Sequence, residues 1–338
     1  MTQVTLQQLA KELNLSIATI SKALRDSHEI SVSTKKRVFD RARELNFTPN
    51  PYAGSLRKKK SRTIAVVLPE VADNFFTLAI KGIQSVAEKK AYHVLIYLSH
   101  ESYIHEQHIL QNCRSGRVDG VLLSISSETR EAGHVELLQA HNIPVVFFDR
   151  ALEGSRTAKI VTNDVEMGYM AARHLLSKKC SRLCFFSLSE SLPICKKREL
   201  GFKNALAEEG FPEQAVYYCT GDEEKDYQLI LELLSSSRPP DGIIACVERI
   251  AIQVYLACQQ LQIRIPNQLK MVAFSTLETA PILDPPLTTI TQPAFEIGKA
   301  AAELLFKGIE KTNFNLENNT VVLPSILIER ASTKVVSV

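Results

Sequence analysis

The sequence predicts a small all-α head followed by a larger α/β body of two similar lobes. Three observations carry this. Apolar residues recur at helical spacing in residues 1–48. From residue 63 onward, short apolar runs alternate with helical stretches. Charge also divides the chain: residues 1–60 hold twelve Lys/Arg against five Asp/Glu, while the remainder holds 28 against 32. At 338 residues the chain exceeds one ordinary core, and 45% apolar with 23% charged residues is normal for a globular protein.

In the head, Leu6, Leu9, Ala10 and Leu13 share one helical face. Asn14 follows, a residue that tolerates the left-handed conformation at a helix end. Leu15 packs into the turn, and Ser16 is a favoured N-cap for a second helix, Ile17 to Leu24. Ile20, Ala23 and Leu24 face inward there. Ser31 caps a third helix whose buried stripe is Val38, Ala42 and Leu45. The second helix is left presenting Ile17, Ala18, Ser21 and Lys22. Any three-helix bundle yields such stripes, but two short helices about a tight turn are the geometry of a helix-turn-helix, whose second helix enters the DNA major groove. The cationic head fits a polyanion; the mildly acidic remainder does not. Thr48-Pro49-Asn50-Pro51 ends the third helix. Tyr52 to Leu56 spells a helix too short to stand alone in water and weakened by Gly54, and Arg57 to Arg62 adds five cations. The head is placed at 1–48 and the hinge linker at 49–62.

In the body, TIAVVLPEV reads as a strand with a proline stop, followed by a helix from about Phe76 to Lys90. Strand HVLIYLS, helix EQHILQNCRS, strand DGVLLSIS, helix HVELLQAHN and strand PVVFFD come next. The series resumes with KIVTND, a helix to Ser177, RLCFFSLS, the helix RELGFKNALAEEG, AVYYCT, a helix to Ser235, DGIIAC, a helix to Gln260 and KMVAFS. This βα repetition predicts parallel sheets with helices on both faces. No P-loop and no G-x-G-x-x-G fingerprint accompanies it.

The head motifs V-T-L-x-x-L-A, L-S-x-x-T-I-S-K-A-L, I-S-x-x-T-K-x-R-V and E-L-N-F-T-P-N-x-x-A-x-x-L resemble those of the LacI/GalR family of bacterial transcription regulators. The resemblance implies that the second helix reads the major groove through Ile17, Ala18 and Lys22. It implies that paired hinge helices insert Leu56 at the central base step, bending the duplex. Thr19, Ser21, Ser31 and Asn50 match positions that contact the DNA backbone, and Ser16, Ala53 and Arg57 complete the expected DNA-facing set. Ile17 and Ala18 offer methyl contacts only, whereas Lys22 donates to guanine.

The same resemblance implies a periplasmic-binding-protein-like body: two Rossmann-like lobes joined by three crossovers, near 160–163, 288–293 and 321–324, with a ligand cleft between them. One lobe is then 63–161 plus 291–322, the other 162–290 plus 323–338. Ligands of open α/β sheets sit beyond the carboxyl ends of strands. The expected effector residues are Phe75 and Phe76, the strand-end Arg150, Asn163 and Asp164 past the first crossover, Arg198 in an R-x-x-G-F motif, Glu248 and Ser275. Two departures stand out. Val247-Glu248 replaces an Asn-Asp pair of the family, and Ser275-Thr276 replaces the aspartate that binds sugar hydroxyls. Losing that carboxylate removes strong acceptors, so the ligand is expected to be less hydroxylated, or anionic and held by Arg150 and Arg198, or the site to be degenerate. Cys180-Ser181 replaces a Gly-His turn.

No catalytic frame is legible. His105 and His108 lack the H-E-x-x-H spacing and read as an exposed helix face, and Asp222 to Asp226 reads as a solvated acidic loop. Seven cysteines, none in a CxxC pair, predict reduced buried thiols and no metal. A polar N-terminus and the lack of an 18-residue apolar run predict a cytoplasmic chain with no membrane span. The expectation is a non-enzymatic, cofactor-free repressor. It binds a pseudo-palindromic double-stranded operator as a homodimer and answers to a small effector: a sugar, sugar phosphate or related metabolite. Control by a protein co-regulator, or ligand binding without operator activity, are the alternatives.

Overall fold

A computed structural model of the chain describes residues 4–47, 60–71, 74–211, 215–311 and 315–334. It divides into two compact units, a head ending at Ser61 and a body from Arg62. In the head, α1 (Leu6–Leu13), α2 (Ile17–Leu24) and α3 (Val32–Glu44) enclose one small core. Leu9, Ala10, Ile20, Ala23, Val38 and Ala42 are buried at its centre. Polar side chains set the helix boundaries. Thr5 and Gln8 form a reciprocal capping box on α1, Ser16 accepts the Thr19 amide at 3.0 Å, and Ser31 accepts the Thr34 amide at 3.3 Å. Asn14 ends α1 at φ 54°, the left-handed conformation its short polar side chain tolerates.

The body begins with β1 (Thr63–Leu68), α4 (Asn74–Lys89), β2 (His93–Leu98), α5 (Tyr103–Cys113), β3 (Gly120–Leu123), α6 (Gly133–Ala140), β4 (Val145–Phe148) and β5 (Ala158–Thr162). Then follow α7 (Asp164–Ser177), β6 (Leu183–Ser187), α8 (Pro193–Glu208), β7 (Ala215–Tyr218), α9 (Glu223–Leu234), β8 (Gly242–Ala245), α10 (Glu248–Gln260) and β9 (Lys270–Phe274). The chain closes with β10 (Thr288–Thr291), α11 (Ala294–Glu310), β11 (Thr320–Leu323) and β12 (Ile326–Ile328). Two six-stranded sheets result, ordered β11-β5-β4-β3-β1-β2 and β12-β10-β9-β8-β6-β7. All neighbouring strands run parallel except β10 and β12. The chain passes between sheets after β5, after β10 and between β11 and β12. After β10, α11 returns to the first sheet, where Ile297, Ala301 and Leu305 pack with Ile64, Val66 and Phe148.

Each lobe is drawn together by one tight helix pair. A Cβ on Gly82 of α4 would fall 2.1 Å from the Phe295 carbonyl oxygen of α11. In the second lobe a Cβ on Gly168 of α7 would fall 2.0 Å from the Arg198 oxygen of α8. No other residue type fits either crossing, and the second fixes the backbone that carries Arg198. The acidic run departs from its expected solvated loop. Asp222 caps α9 by accepting the Glu224 amide at 3.1 Å, and buried Asp226 accepts the Thr220 amide at 2.6 Å. Carboxylates are favoured at this positive end of a helix. No helix among the described residues is long and apolar enough to cross a membrane.

Candidate functional site

The carboxyl ends of strands from both sheets meet at one cleft. β1 leads to Phe75 and Phe76, and β4 to Asp149 and Arg150. In the other lobe β6 leads to Ile194, Cys195 and Arg198, β8 to Glu248, and β9 to Ser275 and Thr276. This is the position that two such sheets reserve for a ligand. The space left is small, a cavity of about 30 Å³. That volume admits about one water-sized molecule, because the side chains satisfy one another.

Two guanidiniums dominate the lining, and both are buried. Arg198 Nε donates to Asp164 at 2.8 Å, its Nη1 donates to the Cys246 carbonyl at 2.6 Å, and its plane lies 4.1 Å from the Phe274 ring centroid. Its Nη2 has no partner. Arg150 Nη1 donates to Glu101 at 2.8 Å, and its guanidinium lies 5.9 Å from the Phe76 ring. Burial alone would push both groups down. Glu101 and Asp149 outweigh it at Arg150, and Asp164 and Asp149 at Arg198, so both are held above their ordinary value. Burial likewise pushes Glu101 up, but Arg150 and the Ser127 amide hold its carboxyl below the usual range. Asp149 has φ 59°, a conformation uncommon for a non-glycine residue, which turns the chain at the end of β4.

Glu248 joins the lobes. Its carboxylate accepts the Asn74 amide at 2.9 Å from the first lobe, and the Ser275 hydroxyl at 3.0 Å and Thr276 amide at 3.2 Å within its own. Asn74 is the first residue of α4, so a carboxylate of one lobe caps a helix of the other. The Asn74 side-chain amide also donates to the Thr276 carbonyl, and Ser191 donates to the Ser127 carbonyl at 3.3 Å.

Of the residues expected at the effector site, Phe75, Phe76, Arg150, Arg198, Glu248 and Ser275 line the cavity together. Asn163 and Asp164 do not. Asn163 accepts the Ser325 amide at 2.8 Å and donates to Glu166 at 2.7 Å, so the third crossover and α7 take its polar groups. Asp164 stands behind Arg198 as its counter-ion, since a buried cation needs one. Sequence reasoning missed Cys195, Phe274 and Gln292, and gave Asp149 and Thr276 no ligand role of their own. Asp149, Thr276 and Gln292 also follow strand ends, so the strand-end signal was available for them.

On the head, Ser16, Ile17, Ala18 and Lys22 lie on the exposed side of α2, while Thr19 and Ser21 are half-buried. Ser16 is engaged as the α2 cap, Ser21 accepts from Arg25 Nη2 at 2.7 Å, and exposed Ser31 is the α3 cap. Lys22 is ion-paired to Glu29. Asn50, Ala53, Leu56 and Arg57 lie outside the described residues.

A three-helix unit presenting a polar-capped second helix, joined in sequence to a two-lobed ligand-cleft domain, defines the class of DNA-binding regulators with an effector domain. Residues 5–50 match the family described as bacterial regulatory proteins, lacI family, and residues 172–333 match the periplasmic binding protein-like domain. The chain thus carries a LacI-family DNA-binding domain and a periplasmic-binding-protein-like domain, and its relatives are LacI-family repressors. It is 29% identical to the catabolite control protein A of Priestia megaterium over 98% of this chain and 99% of the relative. It is also 29% identical to the ribose operon repressor of Haemophilus influenzae, over 97% of this chain and 98% of that one. A LacI-family regulator from Silicibacter pomeroyi superposes with a TM-score of 0.84 at 24% identity, over 98% of this chain and 99% of that one. The lac repressor dimer bound to operator and the anti-inducer ONPF superposes at 0.86 and 19%, with the same coverage.

Proposed function

We propose that this chain is a cytoplasmic, non-enzymatic repressor that binds a pseudo-palindromic operator as a homodimer and is governed by a small metabolite held between the lobes. The observation that carries the effector reading is the pair of buried guanidiniums at the cleft, with Arg198 Nη2 and the Thr276 hydroxyl left without partners. The carboxylates there are engaged by protein donors. The cleft therefore offers donors and aromatic faces to a ligand rich in acceptors, a sugar, sugar phosphate or similar polyoxygenated anion. Relatives named for ribose, and related structures with bound ribose or cellobiose, support a sugar-like occupant. Entry requires the lobes to part, because the cavity of about 30 Å³ is too small for a pentose.

On the head, Ile17, Ala18 and Lys22 read too few base edges for one copy to be selective, which favours two half-sites about one helical turn apart. The edge strand β2, with Leu95 and Ile96 exposed, suits a second copy. Selection from a random duplex library by the full chain, with and without sugars and sugar phosphates, tests the proposal. An enriched palindrome whose retention changes with one ligand is expected. Salt-dependent binding with no enriched sequence would overturn it.

A further inference from the structure

The second lobe holds a larger cavity away from the cleft. Its volume is about 640 Å³, and it lies where β6 and β7 begin. The cleft lies past the carboxyl ends of the strands, about 16 Å further along the five residues of β6. Leu206 near the end of α8, Phe211 in the turn after it and Leu233 in the last turn of α9 give the cavity apolar walls. Tyr217 of β7 adds a phenol whose ring centroid is 5.4 Å from that of Phe186. Arg182 and Arg238 stand among the lining residues, and no carboxylate does.

We propose that this cavity is a second ligand site, separate from the effector cleft, and that it takes an arylalkanoate: an aromatic ring on a short chain ending in a carboxylate.

Ligand cavities of about 300–1,000 Å³ pair apolar walls with a few polar groups that fix orientation. The polar groups here are donors. Arg182 Nε donates to the Pro239 carbonyl at 2.8 Å and its Nη2 lies 3.7 Å from Asp241, so its charge is partly committed. Asp241 itself accepts the Ser181 and Arg182 amides at 3.0 and 2.8 Å. Arg238 makes no hydrogen bond or ion pair among the described residues, and neither does the Tyr217 hydroxyl. Burial pushes the Tyr217 phenol up, which keeps its proton on the oxygen and available to donate.

Acceptors at the helix ends are already taken. The Phe211 amide donates to the Leu206 carbonyl at 3.0 Å, and the Ser236 amide to the Leu233 carbonyl at 3.3 Å. An anion therefore meets a free guanidinium and a free phenol, with no competing carboxylate on the walls. The body of the ligand must be apolar to gain from Leu206 and Leu233, and a flat ring suits contact with Phe211 and Tyr217. A sugar, with hydroxyls on every side, would leave them unpaired against those walls.

The full chain contains no tryptophan, so Phe211→Trp places a single fluorophore at this cavity. Titration with phenylpropionate should give a saturable change in emission, with Kd on the order of 0.1–1 mM. Phenylpropionamide has the same body without the charge and should bind roughly ten-fold more weakly. Arg238→Gln in the same background should weaken phenylpropionate roughly ten-fold and leave the amide nearly unchanged. If the tryptophan variant fails to fold, calorimetry on the chain with Phe211 in place makes the same comparisons. Three results overturn the proposal: no saturable binding up to about 10 mM, equal binding of acid and amide, or phenylpropionate affinity unaltered by Arg238→Gln. A ligand seated in the cleft would give the last of these, since Arg238 is not part of its lining. The measurement needs neither operator nor sugar, so its outcome is independent of the function proposed above.

Discussion

Replacing Glu248 with alanine removes the carboxylate that ties the two lobes of the body together. Of its bonds, the one from the Asn74 amide at 2.9 Å crosses the cleft, whereas those from Ser275 and Thr276 lie within the second lobe. A hydrogen bond to a charged acceptor contributes about 1.5–3 kcal/mol net. Lobe closure should weaken by that amount, moving the closed-to-open ratio by on the order of 10- to 150-fold. The Ser275 and Thr276 bonds instead support the local stability of the second lobe. Backbone amide exchange separates these effects. In Glu248→Ala the Asn74 amide should exchange roughly 10- to 150-fold faster, while amides of Ile64 and Val66 in β1 hold near their wild-type rates. Glu248→Gln keeps one acceptor oxygen without the charge and should fall between the two. Unchanged protection of Asn74 in Glu248→Ala would refute the reasoning. The Asn74 side chain on the Thr276 carbonyl, and Ser191 on Ser127, would then hold the lobes without the carboxylate.

Asp164→Ala strands the buried Arg198 charge, which is destabilising by about 3–5 kcal/mol. Calorimetry should show a Tm lower by roughly 6–20 °C, with Arg198→Met added to the same chain restoring part of it; an unchanged Tm would contradict the ion pair's role. Lys22→Ala should weaken operator binding by about 1–3 kcal/mol and relax one base position in a half-site selection; equal weakening on every sequence would reassign Lys22 to a phosphate. Glu29→Gln should tighten binding, since Lys22 now spends its charge on Glu29 and holds that carboxyl below its usual range; an unaltered Kd would show that the pair opens freely. Burial holds the His174 imidazole below its ordinary value, with Lys178 and Lys334 acting the same way and Glu329 opposing. The unfolded chain therefore binds this proton first, and the stability His174 contributes is present above its ordinary pKa of about 6.5 and lost as pH falls through the folded value. His174→Asn should flatten the slope of Tm against pH between about 7 and about 5; an identical slope would place the titration elsewhere.

The head was legible because its determinants are local. Ser16 and Ser31 accept amides three residues on, and the left-handed Asn14 turns its own amide back on the Ala10 and Lys11 carbonyls, so the chain announces each boundary where it occurs. The apolar stripe through Leu9, Ile20 and Val38 likewise follows from helical period alone. What the sequence did not disclose is that Lys22 has a protein partner. Glu29 lies beyond the end of α2, and the pairing depends on how the following turn folds back.

The cleft was legible by position and not by partner. Strand ends point to Phe75, Arg150, Arg198, Glu248 and Ser275 because every parallel strand delivers its following residue to the same edge. Which group each would bind depends on contacts far apart in sequence: Asn74 and Glu248 are 174 residues apart, and Asp164 and Arg198 are 34 apart. Period and propensity carry no information at that range. The consequence is chemical. Read as a departure from a pattern, Val247-Glu248 and Ser275-Thr276 suggested a cleft depleted of acceptors. In the folded protein Glu248, Asp149 and Asp164 surround the site, but their oxygens meet the Asn74 amide, Gln292 and Arg198. The cleft does not lack carboxylates; protein donors already occupy them, and Glu248 alone among these three ties one lobe to the other through Asn74. On the proposed reading, a ligand entering between the lobes exchanges the Asn74–Glu248 bond for one to Arg198 Nη2, so its affinity would measure the difference between those two interactions rather than the strength of either.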